Sequence, residues 1–322
     1  MLPWQVRNRA THLMSRWAVF AFFFVLIFYY FSWTTLTSRS SIESFESEQR
    51  IAENKTKTES SPIPQYDPRK LALLVETRPL PHLPALFTHM TTIIPPEWTF
   101  KFMGSAEALL FMRSSPVITR FEESGKLQLL PIPGNYSLKD RETISQMFTD
   151  IHLYRDILAP AEHLLVWQPD SIFCANAPRT LNDYLEWDWV GAPWSKTAQY
   201  GGNGGLSLRK VNKIVEVLAN KTRRVGDGAL EDLWLTNNLH NLPDNHMPNA
   251  AISKTFSVES VWDDAPLGYH VGWLGVHHEQ IWDDQKQVDH IMKYCPEVKM
   301  ILGMKLDNDK PEAIKNMENP IN

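Results

Sequence analysis

Three segments in the second half of the chain hold side chains that could do chemistry. Gln168 and Asp170 follow directly on the apolar run LLVW, and oxygen ligands at the end of a buried strand can hold Mg²⁺ or Mn²⁺ against a diphosphate. The segment YGGNGGLSLRK, residues 200–210, contains four of the chain's 14 glycines, so another group can approach its backbone closely. The acidic pair Glu231-Asp232 begins a segment with an apolar helical face.

Each segment also has a purely structural explanation. Asp170 is a common residue type for a turn or a helix N-cap. The acidic pair favours the positive end of a helix without taking part in any reaction. The glycine segment is not a P-loop, because it lacks the spacing and the Lys-Ser/Thr ending, but it could be a mobile surface turn. The order of the segments along the chain therefore carries more information than any one of them.

Apolar runs and helical spacings alternate upstream and downstream of these segments. This alternation predicts an α/β domain with a mostly parallel sheet flanked by helices, a Rossmann-like arrangement. Parallel sheets bind ligands beyond the carboxyl ends of their strands, which is where Gln168 and Asp170 would lie. The expected strands are 71–75, 98–105, 127–133 and 163–168, and the expected helices are 83–94, 140–158, 177–187, 210–220 and 231–242.

The N-terminal region contains an uncharged apolar stretch at 17–36. At about 1.5 Å per residue it is long enough to span a bilayer core of about 30 Å. Arg7, Arg9 and Arg16 precede it, which favours a cytosolic N-terminus. A cleaved signal peptide would have a shorter apolar region that ends in small residues. We therefore expect one N-terminal transmembrane helix that acts as an uncleaved signal-anchor.

The remainder of the chain would then be lumenal or extracellular. Asn54, Asn135 and Asn220 each begin an N-x-S/T sequon. The two cysteines, Cys174 and Cys295, could form one disulfide or remain as buried thiols. The net charge of −5 gives no general case for nucleic-acid binding.

Four motifs occur in a consistent order: Gln168 to Asp170, Asp188 to Trp194, Asn203 to Arg209, and Glu231-Asp232. In this order they resemble the glycosyltransferase-like domain of unknown function found in fungal and bacterial proteins. More broadly, they resemble GT-A-fold glycosyltransferases that use nucleotide sugars. The resemblance covers roughly residues 67–300. The anchor and the following polar stem resemble the type II layout of Golgi glycosyltransferases.

The resemblance implies roles for residues of the donor site. In GT-A enzymes the corresponding loop passes beneath the donor sugar, so Asn203, Gly204 and Gly205 would contact the donor. Arg209 would reach a phosphate, or else would form a structural ion pair. The remaining implied donor-binding residues are Glu76 and Arg78 at the first strand, together with Gln168 and Asp170.

The resemblance also implies a chemical mechanism. A carboxylate in the region of the acidic pair would be the general base of an inverting displacement, with Asp232 as our first choice and Glu231 as the second. Asp170 and His270 would bind a divalent metal, Mn²⁺ or Mg²⁺. Gln168 stands where the family usually has an aspartate, which leaves metal dependence open.

Aromatic residues of the Asp188–Trp194 region could stack on a sugar acceptor. We expect Trp189 and Trp194 to bind the acceptor, and we expect at least one tryptophan among these two and Trp187 to lie in the core.

The sequence thus predicts a hexosyltransferase that uses a nucleotide-sugar donor and a glycan or glycoprotein acceptor. It would be held by its N-terminal helix in a Golgi or other secretory-pathway membrane and would have no nucleic-acid partner. The alternatives are an inactive lectin-like or scaffold protein that retains the fold, and a nucleotide-sugar hydrolase or phosphotransferase. The expected parts are a cytosolic tail at 1–16, the signal-anchor at 17–36, a stem at 37–66, a GT-A-like catalytic domain at 67–303 and a tail at 304–322.

Overall fold

A computed structural model describes residues 29–30, 66–272 and 279–302. The chain divides into two units, Met1–Ile63 and Pro64–Asn322, and the elements named below belong to the second. The expected signal-anchor lies outside the described residues apart from Tyr29 and Tyr30, as do nearly all of the stem and the whole C-terminal tail. Among the described residues, no helix combines the length and the apolar character that crossing a membrane requires.

The main sheet has six strands: β1 (Asp67–Glu76), β2 (Trp98–Gly104), β3 (Leu127–Pro131), β4 (His163–Trp167), β6 (Trp189–Gly191) and β7 (Leu206–Lys210). Across the sheet their order is β3-β2-β1-β4-β7-β6. Pairs between β1, β2, β3 and β4 are parallel, whereas β7 runs antiparallel to both of its neighbours.

Helices cover both faces of this sheet. Their apolar side chains pack against it in two separate buried groups. The helix bounds are α1 (Leu83–Ile93), α2 (Ala106–Arg113), α3 (Pro116–Glu123), α4 (Arg141–Phe148), α5 (Val211–Asn220), α6 (Glu231–His240), α7 (Ala250–Phe256), α8 (Glu279–Trp282), α9 (Gln285–Tyr294) and α10 (Lys299–Leu302). Shorter turns are π-helical at Leu153–Ile157 and 3₁₀ at Leu181–Tyr184 and Pro296–Val298.

A second sheet of three short strands lies beyond the end of β4. Its strands are β5 (Ser171–Phe173), β8 (Ser257–Val258) and β9 (Gly268–His270), in the order β5-β9-β8. Cys174 follows β5 directly and forms a disulfide with Cys295, which follows α9. The disulfide alternative is therefore the one that the structure shows, and it joins this small sheet to the last helices.

The four expected strands and the helices at α1, α5 and α6 are confirmed. Two helix predictions are wrong. The expected helix at 140–158 is split into α4 and the π-helical turn, and the expected helix at 177–187 is reduced to one 3₁₀ turn. Asp140 explains where α4 begins, because its carboxylate accepts a hydrogen bond from the Thr143 amide at 2.8 Å.

Candidate functional site

The end of β4 and the start of β7 lie side by side, since Trp167 pairs with Leu206. Because these strands are antiparallel, the turn after β4 and the glycine segment before β7 meet at one edge of the sheet. That edge also carries the carboxyl ends of the parallel strands, where α/β proteins bind ligands. The sheet topology thus brings Gln168 and Asp170 next to the glycine segment.

The glycine segment is buried rather than a surface turn, so that alternative is wrong. Gly201, Gly202, Gly204 and Gly205 are all buried. Gly201 has a φ of 83°, a conformation that L-residues with side chains rarely adopt. A Cβ on Gly202 would lie 2.5 Å from the backbone oxygen of Gly191. Glycine is therefore required here, first of all, by the protein's own backbone.

Gly204 contacts the acidic pair at the start of α6. Its amide donates a hydrogen bond to Oδ2 of Asp232 at 3.1 Å. A Cβ on Gly204 would collide with Oε1 of Glu231 and would lie 3.0 Å from Nη2 of Arg209. The acidic pair thus packs directly against the Gly204 peptide.

Gly205, the next residue, contacts a different cluster. A Cβ there would collide with Nε2 of His270 and would lie 2.5 Å from Oε1 of Gln168. The Gly205 amide donates to Oδ1 of Asn203 at 2.6 Å, and its carbonyl accepts from Oγ of Ser171 at 2.9 Å. Consecutive Cα atoms are about 3.8 Å apart, so the acidic pair and the Gln168–His270 cluster are neighbours across one peptide.

The acidic pair has strongly perturbed electrostatics. Burial, together with the neighbouring Asp232, raises the pKa of Glu231 to about 7. Burial also raises the pKa of Asp232, against the lowering effect of hydrogen bonds from the Leu233 and Gly204 amides. The two groups titrate as a unit, and together they hold a proton more readily than exposed carboxylates do.

His270 lies between two carboxylates. Its Nδ1 is 3.2 Å from Oε1 of Glu259, and its Nε2 is 3.5 Å from Oδ1 of Asp170 and 3.2 Å from Oε1 of Gln168. Burial alone would lower the pKa of His270, but the charges and hydrogen bonds of Asp170 and Glu259 outweigh it and raise the pKa to about 10. The imidazole therefore carries a proton at neutral pH in this arrangement.

The structure shows only part of the metal site that the resemblance implies. Of the side chains in 66–272 and 281–302, no three from His, Cys, Asp or Glu are grouped so that they could hold a metal ion. Asp170 and His270 supply two ligands, and the amide of Gln168 is uncharged. The structure brings the expected pair together, with Nε2 of His270 3.5 Å from Oδ1 of Asp170, and its role as a metal site stays a prediction.

Arg209 does not reach a donor site, so its expected phosphate-binding role is wrong. The side chain has no exposed area, and its Nη2 pairs with Oε1 of Glu231 at 3.1 Å. The structural ion pair that we left open is therefore the one observed. Leu206–Lys210, the last part of the glycine segment, forms strand β7, and the expected helix at 210–220 follows it as α5.

Glu76 and Arg78 lie at the carboxyl end of β1, as expected. They form a two-pronged ion pair, with Nε to Oε1 at 3.0 Å and Nη2 to Oε2 at 2.7 Å. His82 is close by and contacts the Pro169 carbonyl at 3.3 Å. This carbonyl lies between Gln168 and Asp170, so His82 joins α1 to the strand exit.

The tryptophans have different environments. Trp189 is fully buried, and its indole donates to the Gly202 carbonyl at 3.1 Å. Its expected acceptor-binding role is therefore wrong, and it is a core tryptophan. Trp194 is 38% exposed, and a Cβ on Gly201 would lie 2.8 Å from its ring and 3.2 Å from Oγ1 of Thr236. Trp194 thus lies near Thr236, which follows Asp232 by one helical turn, and stays a predicted acceptor-binding residue.

Sequence reasoning missed two residues that complete the site. Glu259 accepts a hydrogen bond from Nδ2 of Asn203 at 3.2 Å in addition to its contact with His270. Oγ of Ser145 in α4 accepts a hydrogen bond from the Glu231 amide at 3.2 Å. It replaces a side-chain N-cap, because the apolar Leu230 at that position has no acceptor. Both lie far along the chain from the motifs, and no local pattern marks them.

Comparison with known proteins gives limited similarity. Residues 126–270 match a family described as a protein of unknown function, DUF5672, and this range includes the strand exit, the glycine segment, the acidic pair and His270. No curated protein matches the chain.

Two solved structures illustrate the structural likeness. The glycosyltransferase GlyE of Streptococcus pneumoniae TIGR4 aligns at 11% identity and a TM-score of 0.40, over 74% of this chain and 64% of that chain. The mannosyltransferase PcManGT of Pyrobaculum calidifontis, in complex with GDP-Man and Mn²⁺, aligns at 13% identity and a TM-score of 0.40, over 77% of this chain and 73% of that chain. TM-scores this low support no conclusion about the function of this chain. The function proposed below therefore depends on the geometry of the site.

Proposed function

We propose that this protein is a nucleotide-sugar-dependent glycosyltransferase that transfers a hexose to a hydroxyl of a glycan or glycoprotein. The observation that supports it is that two consecutive glycines of the glycine segment contact two different groups of side chains. Gly204 packs on a carboxylate pair with raised pKa values, and Gly205 packs on the polar cluster at the strand exit. A base and a polar ligand-binding edge thus lie a few ångströms apart.

The donor would lie along the carboxyl edge of β1 and β4. Glu76 and Arg78 at the end of β1, and Asn203 in the glycine segment, supply the hydrogen-bonding groups that a nucleotide and a sugar require. The exposed ring of Trp194 would stack on the acceptor sugar beside Asp232. This arrangement would put the acceptor hydroxyl between the acidic pair and the donor.

Asp232 is the proposed general base. Arg209 holds Glu231 by an ion pair, whereas among the described residues the carboxylate of Asp232 accepts hydrogen bonds only from the Gly204 and Leu233 amides. A carboxylate has about four acceptor positions, so Asp232 can still take a proton. Burial raises the pKa of Asp232, which favours proton uptake by this carboxylate. The acceptor oxygen would then displace the diphosphate at the anomeric carbon with inversion.

The test uses the full chain with a panel of nucleotide sugars, with and without Mn²⁺. We expect one donor to raise the melting temperature and to support transfer. Asp232→Asn should still bind that donor but should turn over about 10² to 10⁴ times more slowly, because an amide cannot take the proton. Activity within a few-fold of the wild type in both Asp232→Asn and Glu231→Gln would refute the base mechanism.

A non-catalytic sugar-binding protein is the second candidate, favoured by the neutral Gln168 at the first motif position. It would bind a nucleotide or a glycan and would transfer nothing with any donor of the panel. Hydrolysis of the donor without an acceptor would instead indicate a hydrolase.

The lumenal location is part of the proposal. Disulfides persist in oxidising compartments, and Cys174 is bonded to Cys295. Asn135 and Asn220 are exposed, so their sequons are accessible for glycosylation. Glycosidase treatment of the protein from cells should increase its electrophoretic mobility, and Asn135→Gln combined with Asn220→Gln should reduce that shift. An unshifted protein whose C-terminus is open to cytosolic protease would refute the lumenal location.

A further inference from the structure

Arg209 is an unusual residue for the middle of a sheet. Its strand, β7, is flanked by β4 and β6, and the side chain has no exposed area. The guanidinium lies 4.0 Å from the ring centre of Trp189 and 5.1 Å from that of Phe148. A buried cation is costly unless its partners compensate for lost hydration, so its contacts identify what it does.

The hydrogen bonds of Nε and Nη2 of Arg209 lead to the site, whereas Nη1 has no partner among the described residues. Nε donates to Oγ of Ser207 at 2.9 Å, and Ser207 donates in turn to the Gly204 carbonyl at 2.9 Å. Nη2 donates both to the Gly204 carbonyl and to Oε1 of Glu231, each at 3.1 Å. One nitrogen therefore holds the glycine segment and the acidic pair at the same time.

We propose that Arg209 is a positioning residue that touches no substrate, fixes the acidic pair against the Gly204 peptide and opposes protonation of Glu231. The planar fork of a guanidinium can make these contacts together, whereas a lysine ammonium is a single point charge. The stacked aromatic rings keep the fork in one orientation.

The charges around Glu231 explain why Arg209 should oppose its protonation. Burial and Asp232 favour its protonated form, and Arg209 is the largest opposing influence. The other titratable groups that face the pair are Tyr154 of the π-helical turn, Arg223 of the segment before α6, and Glu259 beyond β8. Removing a cation at 3.1 Å should raise the pKa of Glu231 by about 1 to 3 units.

The first experiment measures unfolding by urea from pH 5 to pH 8 and needs no enzymatic activity. Arg209→Met replaces the side chain with an apolar one of similar length, and it is compared in the wild-type and Glu231→Gln backgrounds. The folded pKa of Glu231 lies above its ordinary value of 4.5, so its contribution to stability is present at low pH and is lost as pH rises towards the folded pKa. Arg209→Met should steepen this loss and extend it to higher pH.

The Glu231→Gln background separates positioning from simple packing. There the effect of Arg209→Met should vary less with pH, because Asp232 is then the one carboxylate of the pair that still titrates and Arg209 acts on it as well. An equally pH-independent effect in both backgrounds would overturn the proposal, since it would mean that Arg209 only fills space.

Arg209→Lys keeps the positive charge but removes the planar guanidinium fork, so it tests whether that geometry is needed. It also provides a test if Arg209→Met does not fold. Its stability should follow the wild-type dependence on pH, while the Gly204 amide should exchange hydrogen at least about tenfold faster. Unchanged exchange in a folded Arg209→Lys variant would refute the positioning of the glycine segment.

The catalytic consequence rests on the proposed function. In both Arg209 variants kcat should fall about tenfold or more, whereas KM for the donor should change less than about threefold. A fall in donor affinity with an unaltered pH dependence of stability would restore the phosphate-binding role and overturn the proposal. A wild-type chain that transfers no sugar would refute the proposed function but would leave the unfolding and exchange tests decisive for Arg209.

Discussion

Gly205→Ala offers a steric test of the site that leaves its chemical groups in place. The added Cβ would lie 2.5 Å from Oε1 of Gln168 and closer still to Nε2 of His270. Gly205 does not have a left-handed φ, so alanine meets no backbone strain. Any effect must therefore come from pushing these two side chains away.

The required displacement follows from the contact distance. Real Cβ atoms essentially never lie within 3.0 Å of another heavy atom, so Gln168 has to move by at least 3.0 − 2.5 = 0.5 Å. Gln168 can rotate, but His270 is held between Asp170 and Glu259. Overpacking typically costs about 1 to 3 kcal/mol, and a misplacement of about 1 Å can cost 10²-fold in rate. We expect about 1 kcal/mol of lost stability and at least a tenfold loss of transfer.

Two other glycines are matched controls. Gly228→Ala should change stability by less than about 0.5 kcal/mol, because no described atom other than its chain neighbours lies within 4 Å of the added Cβ. Gly202→Ala should destabilise the fold more than Gly205→Ala does, because its Cβ would meet the Gly191 backbone. Urea unfolding and donor-dependent transfer measure both quantities. A Gly205→Ala variant with wild-type activity would refute the assignment of the Gln168–His270 cluster to the site.

Three further changes probe the elements around the site. Ser145→Ala should cost about 1 kcal/mol in urea unfolding, because it removes the acceptor of the first amide of α6; no measurable loss would show that water replaces the hydroxyl. Replacing Cys174 and Cys295 by serine should lower the free energy of unfolding by up to about 5 kcal/mol on the loop-entropy model, because the two residues are 121 positions apart. A melting temperature of the wild type that does not respond to reductant would contradict this. Trp194→Ala should lower kcat/KM for the acceptor at least about tenfold and leave donor affinity unchanged, as measured by initial rates; equal loss for donor and acceptor would contradict its stacking role.

The first half of the fold follows from local patterns. The runs that form β1 and β4 are continuous and apolar because both faces of these strands are covered by helices. Pro95 and Pro96 end the segment of α1, as the sequence predicts. Local patterns failed where a tertiary contact determines the structure. The expected helix at 140–158 is interrupted although its apolar spacing continues, and the strands of the small sheet are only two or three residues long, too short for a periodicity.

The candidate site could be located from the sequence more easily than its residues could be given roles. Motif order placed Gln168, the glycine segment and the acidic pair together. The pairing of β4 with β7 brings the first two together, and the hydrogen bond from Gly204 to Asp232 brings in the acidic pair. The reason for the glycines could not be predicted, because it depends on Gly191, His270 and Glu231, which lie elsewhere in the chain. The same limit explains why Glu259 was missed, since its partners come from two other segments.

Strand β7 shows how burial changes the role expected of a residue. The alternation in LSLR predicts that Ser207 and Arg209 share one face of a strand, and on a sheet with one exposed face they would meet solvent or ligand. Here both faces are covered, so the two residues point into the interior beneath the acidic pair. A buried arginine in such a position has to be compensated by fixed partners, and the partners it has are the Gly204 carbonyl and Glu231. The residue for which the resemblance implied contact with a donor phosphate is therefore, on our proposal, a cation that supports the base from within the protein.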